Sequence, residues 1–205
     1  MLSFKPKLRA PVMPPVKIQK DAVFLRPPTE KDCAQWILVR ARNEKRLKPL
    51  EPLWPKDCLE EDFFFKRLEK QAREWRLDQA YPLLIFEKTT RKLIGGININ
   101  HVSRGAAQFA SLGYWIDQEA EGKGLMSAAM RGAFKFAFRD LKLHRLNAAT
   151  LPENTRSKNL LVRNGFKQEG FAEKYIRING VWQDHVLFGL PIETWLEQDE
   201  NNTGP

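Results

Sequence analysis

The chain has 205 residues, 42% of them hydrophobic and 29% charged, a mixture that suits one globular α/β domain and excludes a disordered or fibrous chain. No apolar run approaches the ~18 residues needed to cross a bilayer, so no membrane partner is expected. The net charge of +9 admits an anionic ligand or a ribonucleoprotein partner, but lysine and arginine are spread along the chain and no aromatic–basic RNA motif stands out.

Residues 1–20 carry five basic residues, four prolines and no acid, and they lack the continuous apolar centre of a secretory signal. A basic, partly extended arm is expected there, followed by a single domain over residues 21–197 and a polar tail over 198–205. The two cysteines, Cys33 and Cys58, each fall in a predicted helix and neither has a histidine at ligand spacing. That pattern argues against a disulfide framework or a metal site and fits a reducing, cytoplasmic compartment.

Val23–Leu25 reads as a first strand, ended by Pro27 and Pro28. Thr29 is placed to cap a helix that runs to about Leu47, with Glu30 and Asp32 suiting its dipole. The segment from Lys48 to Pro55 holds three prolines and reads as a stiff loop carrying Trp54. Asp57 and Glu60 have the spacing of a capping box, which predicts a second helix from there to about Leu77. The period then changes to two. Leu83–Phe86, Leu93–Ile99 and Phe109–Ile116 read as strands. A helix follows from about Leu125, with Met126, Met130, Ala133, Ala137 and Leu141 along one side and Ser127, Arg131, Lys135 and Arg139 along another. A strand over Leu146–Leu151, a short helix from Asn154 to Asn164-Gly165, and a hairpin turning at Asn179-Gly180 complete the order.

The strand ending at Ile116 runs through Asp117-Gln118-Glu119-Ala120-Glu121 into Gly122-Lys123-Gly124-Leu125-Met126 at the start of that later helix. Such a junction presents unpaired main-chain N–H groups and the positive end of a helix dipole to one point, a natural seat for phosphate. A Gly-x-Gly alone also serves tight turns.

The order of elements, this loop, and the run Pro152-Glu153-Asn154-Thr155-Arg156-Ser157 before Asn164-Gly165-Phe166 resemble the GNAT (GCN5-related) N-acetyltransferases. Within them the chain is similar to the RimJ/RimL group, which acetylates N-termini of ribosomal proteins, and most of all to its alanine-acetylating members. The residues that carry this are Leu47–Pro52, Ser103-Arg104-Gly105, Leu112-Gly113-Tyr114, Gly122–Met126 and Asn179–Val186. The resemblance implies a mixed, mostly antiparallel sheet splayed at its centre, with helices on both faces and a C-terminal β-hairpin. It implies acetyl-CoA as co-substrate, with Ile116 and Asn154 along the pantetheine arm and Gln118, Gly122, Lys123, Gly124, Leu125 and Met126 around the phosphates. Where the family's phosphate loop usually begins with Gln or Arg, this chain has Glu119; main-chain binding tolerates an acid that points outward.

Acetyl transfer to an amine needs the thioester held, the amine deprotonated, and donors for the carbonyl oxygen and the departing sulfur. Ser157 stands where related enzymes place a donor to that sulfur; a helix-surface serine bonding its own backbone is the plain alternative. A peptide α-amine, pKa ~7.7–8.0, needs only mild help from a base. Ser111 occupies the strand position at which related chains often hold a glutamate. Asp184 and His185 are the candidate pair, one orienting the other, with Glu87 and His101 as further candidates. Glu51 is a candidate to bind a protonated amine and Trp54 to pack on the first residues of an acceptor, whereas Trp182 is expected in the core. The expected acceptor is a protein N-terminus, that of a ribosomal protein, attacked directly in a ternary complex, with ribosome association compatible with the charge. The alternatives are a small amine acceptor or a non-catalytic ribosome-associated module, and the chain leaves monomer or dimer open.

Overall fold

The computed structural model describes Met13, residues 17–20 and residues 22–202, without the side chains of Lys20 and residues 199–202. Most of the basic arm expected over residues 1–20 therefore lies outside the described residues. Its last part, β1 (Ile18–Lys20), pairs antiparallel with β2 (Val23–Arg26). After a 3₁₀ turn at Glu30–Asp32 come α1 (Cys33–Arg42), α2 (Glu44–Leu47) and α3 (Glu61–Arg76). Strands β3 (Tyr81–Glu87), β4 (Leu93–Ser103) and β5 (Phe109–Ile116) follow, then α4 (Leu125–Lys135), which ends in a π-helical turn. The chain closes with β6 (Arg145–Thr150), α5 (Thr155–Arg163), β7 (Lys167–Ile178), β8 (Val181–Pro191) and α6 (Ile192–Asn202).

The eight strands form one sheet in the order β1-β2-β3-β4-β5-β6-β8-β7. Every pairing is antiparallel except β5 with β6, which is parallel and short: Phe109 to Arg145, Ala110 to Leu146 and Ser111 to Asn147. Beyond Ser111, β5 continues beside β4 as far as Ile116 but has no strand on its other side. The sheet is thus splayed at its centre, as the resemblance implied. Trp36 of α1 and Phe64 and Arg67 of α3 stand against the face that carries Leu84, Gly96, Asn98 and Trp115. α4 packs on β1, β2 and β4, covering the opposite face with its fully buried Ile97, Ile99 and Leu83.

Four expectations needed correction. The first helix does not run unbroken to Leu47; it stops at Arg42, because buried Asn43 turns its side chain back to the Val39 carbonyl, 2.8 Å away, an alternative to helix that asparagine offers readily. The same amide nitrogen donates to Asp117 at 2.8 Å and its oxygen accepts from the Gln118 N–H at 2.9 Å, so the break is fastened to the loop after β5. The capping box at Asp57 is not formed: the Glu60 N–H bonds the Asp57 carbonyl at 2.9 Å in a turn that prolongs the proline loop and contains Cys58, and α3 starts one residue later, at Glu61. The polar segment from Gln198 is helical to Asn202 as part of α6; Trp195 anchors that helix with its ring 5.2 Å from Phe138. Finally, Trp182 is not core but 59% exposed; it lies near the hairpin turn, where it pairs with Arg177.

Candidate active site

The splay between β5 and β6 opens into a cavity of about 1400 Å³ that reaches both faces of the sheet. One wall is built around the loop after β5. Gly122 (φ 71°) and Gly124 (φ 72°) adopt left-handed backbone that side chains disfavour, and no atom lies within 4 Å of where a Cβ would stand at either. Gly124 is also the N-cap of α4, so the first N–H groups of that helix face open space beside the cavity. This is a cradle of main chain from which side chains have been removed. It suits a pyrophosphate.

Leu125 and Met126 line the cavity from the first turn of α4, but their side chains are buried in the core; what they offer is backbone. Two of the expected phosphate contacts are drawn elsewhere. Lys123 is exposed and donates to the Glu119 carbonyl at 2.7 Å, and exposed Gln118 gives its N–H to Asn43. Glu119 points outward, 74% exposed, and pairs with Arg42 at 3.3 Å. The charges that do stand at the cradle are Arg46 and Arg156, which share the Glu121 carboxylate, and Arg46 also donates to the Ile116 carbonyl. Arg156 was visible in the motif beside Asn154; nothing in the sequence marked Arg46, seventy residues before its partner.

Asn154 caps α5 by accepting the Ser157 N–H at 3.1 Å, which leaves its Nδ2 for a ligand. Ser157 Oγ lies 2.6 Å from the Tyr114 hydroxyl. Burial pushes the Tyr114 phenol up to about 12, with the Ser157 hydrogen bond pulling weakly the other way, so it carries its proton throughout the neutral range. The sequence marks Tyr114 only within Leu112-Gly113-Tyr114; its partner Ser157 lies 43 residues away on α5.

The opposite wall is made of side chains. Arg40 forms a bidentate pair with Glu51, at 2.8 Å through Nη1, while the Trp54 indole donates to the same carboxylate at 2.8 Å. The Arg40 guanidinium carbon sits 4.1 Å from the Trp54 ring, 5.1 Å from Trp115 and 5.6 Å from Trp36. Glu51 lines the cavity, but its charge is already met by Arg40, so it is not a free anion for an amine. Trp54 stacks on Arg40 instead of facing the cavity. Together they pin the proline loop, whose Glu51 carbonyl also accepts the Asn179 N–H of the hairpin turn at 2.9 Å.

Asp184 and His185 are separated by strand alternation. Asp184 accepts the Lys174 N–H at 2.8 Å across a bulge in β7, a structural task away from the cavity. His185 is 3% exposed and lines the cavity, with Nδ1 2.9 Å from the Gln183 carbonyl. A carbonyl only accepts, so in the neutral ring the proton is on Nδ1 and Nε2 keeps its lone pair. Glu87 accepts from Thr90 at 2.6 Å in its own turn. His101 lines the rim of the cavity, exposed at a bulge in β4 with φ 53°. Among the described residues no group of three His, Cys, Asp or Glu is placed to hold a metal. Both cysteines are buried and burial raises their thiols above the usual range.

Residues 22–167 match the model of the acetyltransferase (GNAT) domain. The chain belongs to the GNAT acetyltransferase family. It is 33% identical over 183 residues to the ribosomal protein uS5 alanine N-acetyltransferase of Escherichia coli, covering 89% of this chain and 94% of that protein. It is 32% identical over 168 residues to the probable N-acetyltransferase YjcK of Bacillus subtilis, covering 82% of this chain and 93% of that one. Among solved structures it superposes on Mycobacterium smegmatis RimJ in complex with CoA-disulfide with a TM-score of 0.81, at 29% identity over 87% of each chain.

Proposed function

We propose that the protein is a cytoplasmic, acetyl-CoA-dependent N-acetyltransferase that modifies the N-terminal α-amine of a ribosomal protein, an N-terminal alanine, by direct attack in a ternary complex. The observation that carries the reading is the free edge of β5 beyond Ser111 running straight into the Gly122–Gly124 cradle. Its likeness to the Escherichia coli alanine acetyltransferase along most of both chains supports the choice of acceptor.

Bound acetyl-CoA would supply an activated acetyl thioester. Gly122, Gly124 and the first N–H groups of α4 would hold its phosphates, with Arg46 and Arg156 beside them and Asn154 along the arm. The unpaired edge of β5 offers main-chain donors near the reacting carbonyl, a kind of contact whose loss typically costs ~2.7–4 kcal/mol of transition-state stabilisation. Tyr114, which keeps its proton, would be the donor for the thioester sulfur, directly or through Ser157. His185 Nε2 accepts the proton that the amine gives up, a modest task for a group of pKa ~7.7–8.0. Buried, protonated cysteines supply no nucleophile, which favours direct transfer over an acyl-enzyme.

The test is to offer acetyl-CoA with peptides copying ribosomal-protein N-termini, alongside polyamines, aminoglycosides and amino acids, and to locate the acetyl group by mass spectrometry. Acetylation of the α-amine of alanine-starting peptides is expected. Exclusive use of small amines would overturn the acceptor, and transfer that stops when both cysteines are replaced in a folded protein would overturn the direct mechanism. Ribosome association is read from cosedimentation with ribosomes that weakens as salt rises.

A further inference from the structure

Among the described residues, Arg67 is a cation of the side-chain wall that no carboxylate pairs directly, although Glu51 and Glu74 lie near enough to act on it. It projects from α3 into the cavity and into the crevice beneath it, beside Asn98 and Trp115. Its guanidinium rests 5.7 Å from the Trp36 ring and makes no hydrogen bond or ion pair with a described residue. The nearest acid on this wall, Glu51, is committed to Arg40, and Glu74 further along α3 pairs with Lys70 at 3.6 Å. Burial, then the neighbouring Arg40, lower Arg67 from the usual arginine value, and Glu51 and Glu74 offset this only in part.

A planar guanidinium with free donors recognises a carboxylate through paired hydrogen bonds. Asn98 stands beside it on the face shared with Gly113 and Trp115, with an amide able to add a further donor. That face is the opposite one from Tyr114 and Ser157, so the anion in question is not the departing thiolate. The cofactor phosphates already have the Gly122–Gly124 cradle and the α4 N-terminus. On the peptide-acceptor reading, the α1–α3 side is the side left for the acceptor.

We propose that Arg67, with Asn98, forms a specificity site that reads a carboxylate carried by an acidic side chain among the first residues of the acceptor; this rests on the peptide-acceptor reading above. A free amino acid would present the same chemistry through its own carboxylate, so both sources are tested.

Full-length protein saturated with CoA is titrated calorimetrically with alanine-starting peptides bearing glutamate at the second, third or fourth position, each matched by a glutamine peptide, and with free aspartate and glutamate. Steady-state rates are then measured on the same acceptors with acetyl-CoA. At one position the glutamate peptide should bind roughly ten- to a hundredfold more tightly than its glutamine partner, the range of a hydrogen-bonded charge. The preference should reside in KM more than in kcat. Arg67→Gln should bring the glutamate-to-glutamine ratio of kcat/KM to about one, and Arg67→Lys should restore part of it; melting temperatures confirm that each variant is folded. Equal handling of glutamate and glutamine peptides, or a preference that survives Arg67→Gln, overturns the specificity site and leaves the peptide-acceptor reading standing. Free amino acids taken in place of peptides, with the same dependence on Arg67, overturn the peptide source. Binding of none of these acceptors overturns both.

Discussion

The glycine-loop wall of the cavity is made mostly of main chain, and the wall around Arg40 and Glu51 mostly of side chains. On the first, Gly122 and Gly124 clear space for amides at the α4 N-terminus, and the free edge of β5 adds more of the same. On the second, Arg40, Glu51 and three tryptophans lock a proline loop over Arg67, His185 and a row of asparagines. Main-chain donors are invariant in chemistry and need only backbone geometry, so they suit a ligand that never changes. Side chains can be exchanged without refolding the loop, so they suit the partner that distinguishes one enzyme from its relatives.

Four substitutions or conditions sharpen this contrast. The largest effect is expected from Gly124→Val. A branched residue at φ 72° places a side chain where phosphate approaches the amides, and acetyl-CoA affinity should fall roughly a hundredfold or more, the loss of one or two charge-assisted hydrogen bonds. The left-handed backbone adds a stability cost of about 1–2 kcal/mol. Calorimetry reads the first and urea unfolding the second; unchanged affinity in a folded variant would show that the cradle is not the phosphate site. Tyr114→Phe comes next. It removes a half-buried donor 2.6 Å from Ser157, and single-turnover rates should drop about a hundredfold with little change in acetyl-CoA affinity. A rate within threefold of the parent would leave the phenol without a role.

Arg40→Gln should act on the other wall alone. Removing the guanidinium leaves the half-buried Glu51 carboxylate with the Trp54 indole as its side-chain donor, which costs roughly 1–3 kcal/mol. Acceptor KM should rise about tenfold while acetyl-CoA KM stays within twofold; equal rises in both would mean that the two walls are not separable. The smallest effect is alkaline. The Tyr114 phenol is raised from its ordinary value of 10 to about 12 by burial, and so is that of Tyr81, by burial and the neighbouring Asp78. The folded chain therefore keeps protons that the unfolded chain releases above pH ~10, and this share of stability, complete below that pH, is lost as pH rises toward 12. Urea midpoints should fall across that window, and less steeply in Tyr114→Phe. An identical slope in the variant would contradict the assigned burial.

The same division decides how much could be read from the sequence. β5, the start of α4, the α5 cap at Asn154 and the Asn179-Gly180 turn were all legible, because each is set by neighbours within a few residues. So was the cradle, since glycine spacing is a local signal. The Asn43 break was not, because a side chain that leaves its helix for Asp117 crosses 74 residues of sequence. Glu51 and Trp54 were found as residues but misread in role, since their partner Arg40 lies on a different element. Asp184 and His185 looked like a pair only because they are adjacent; strand alternation puts them on opposite faces.

The most direct measurement is a calorimetric titration of the folded protein with acetyl-CoA. One-to-one binding that Gly124→Val weakens at least about a hundredfold is the expected result. No heat from properly folded protein, or binding indifferent to that substitution, would contradict a cavity whose main-chain wall holds the acetyl donor.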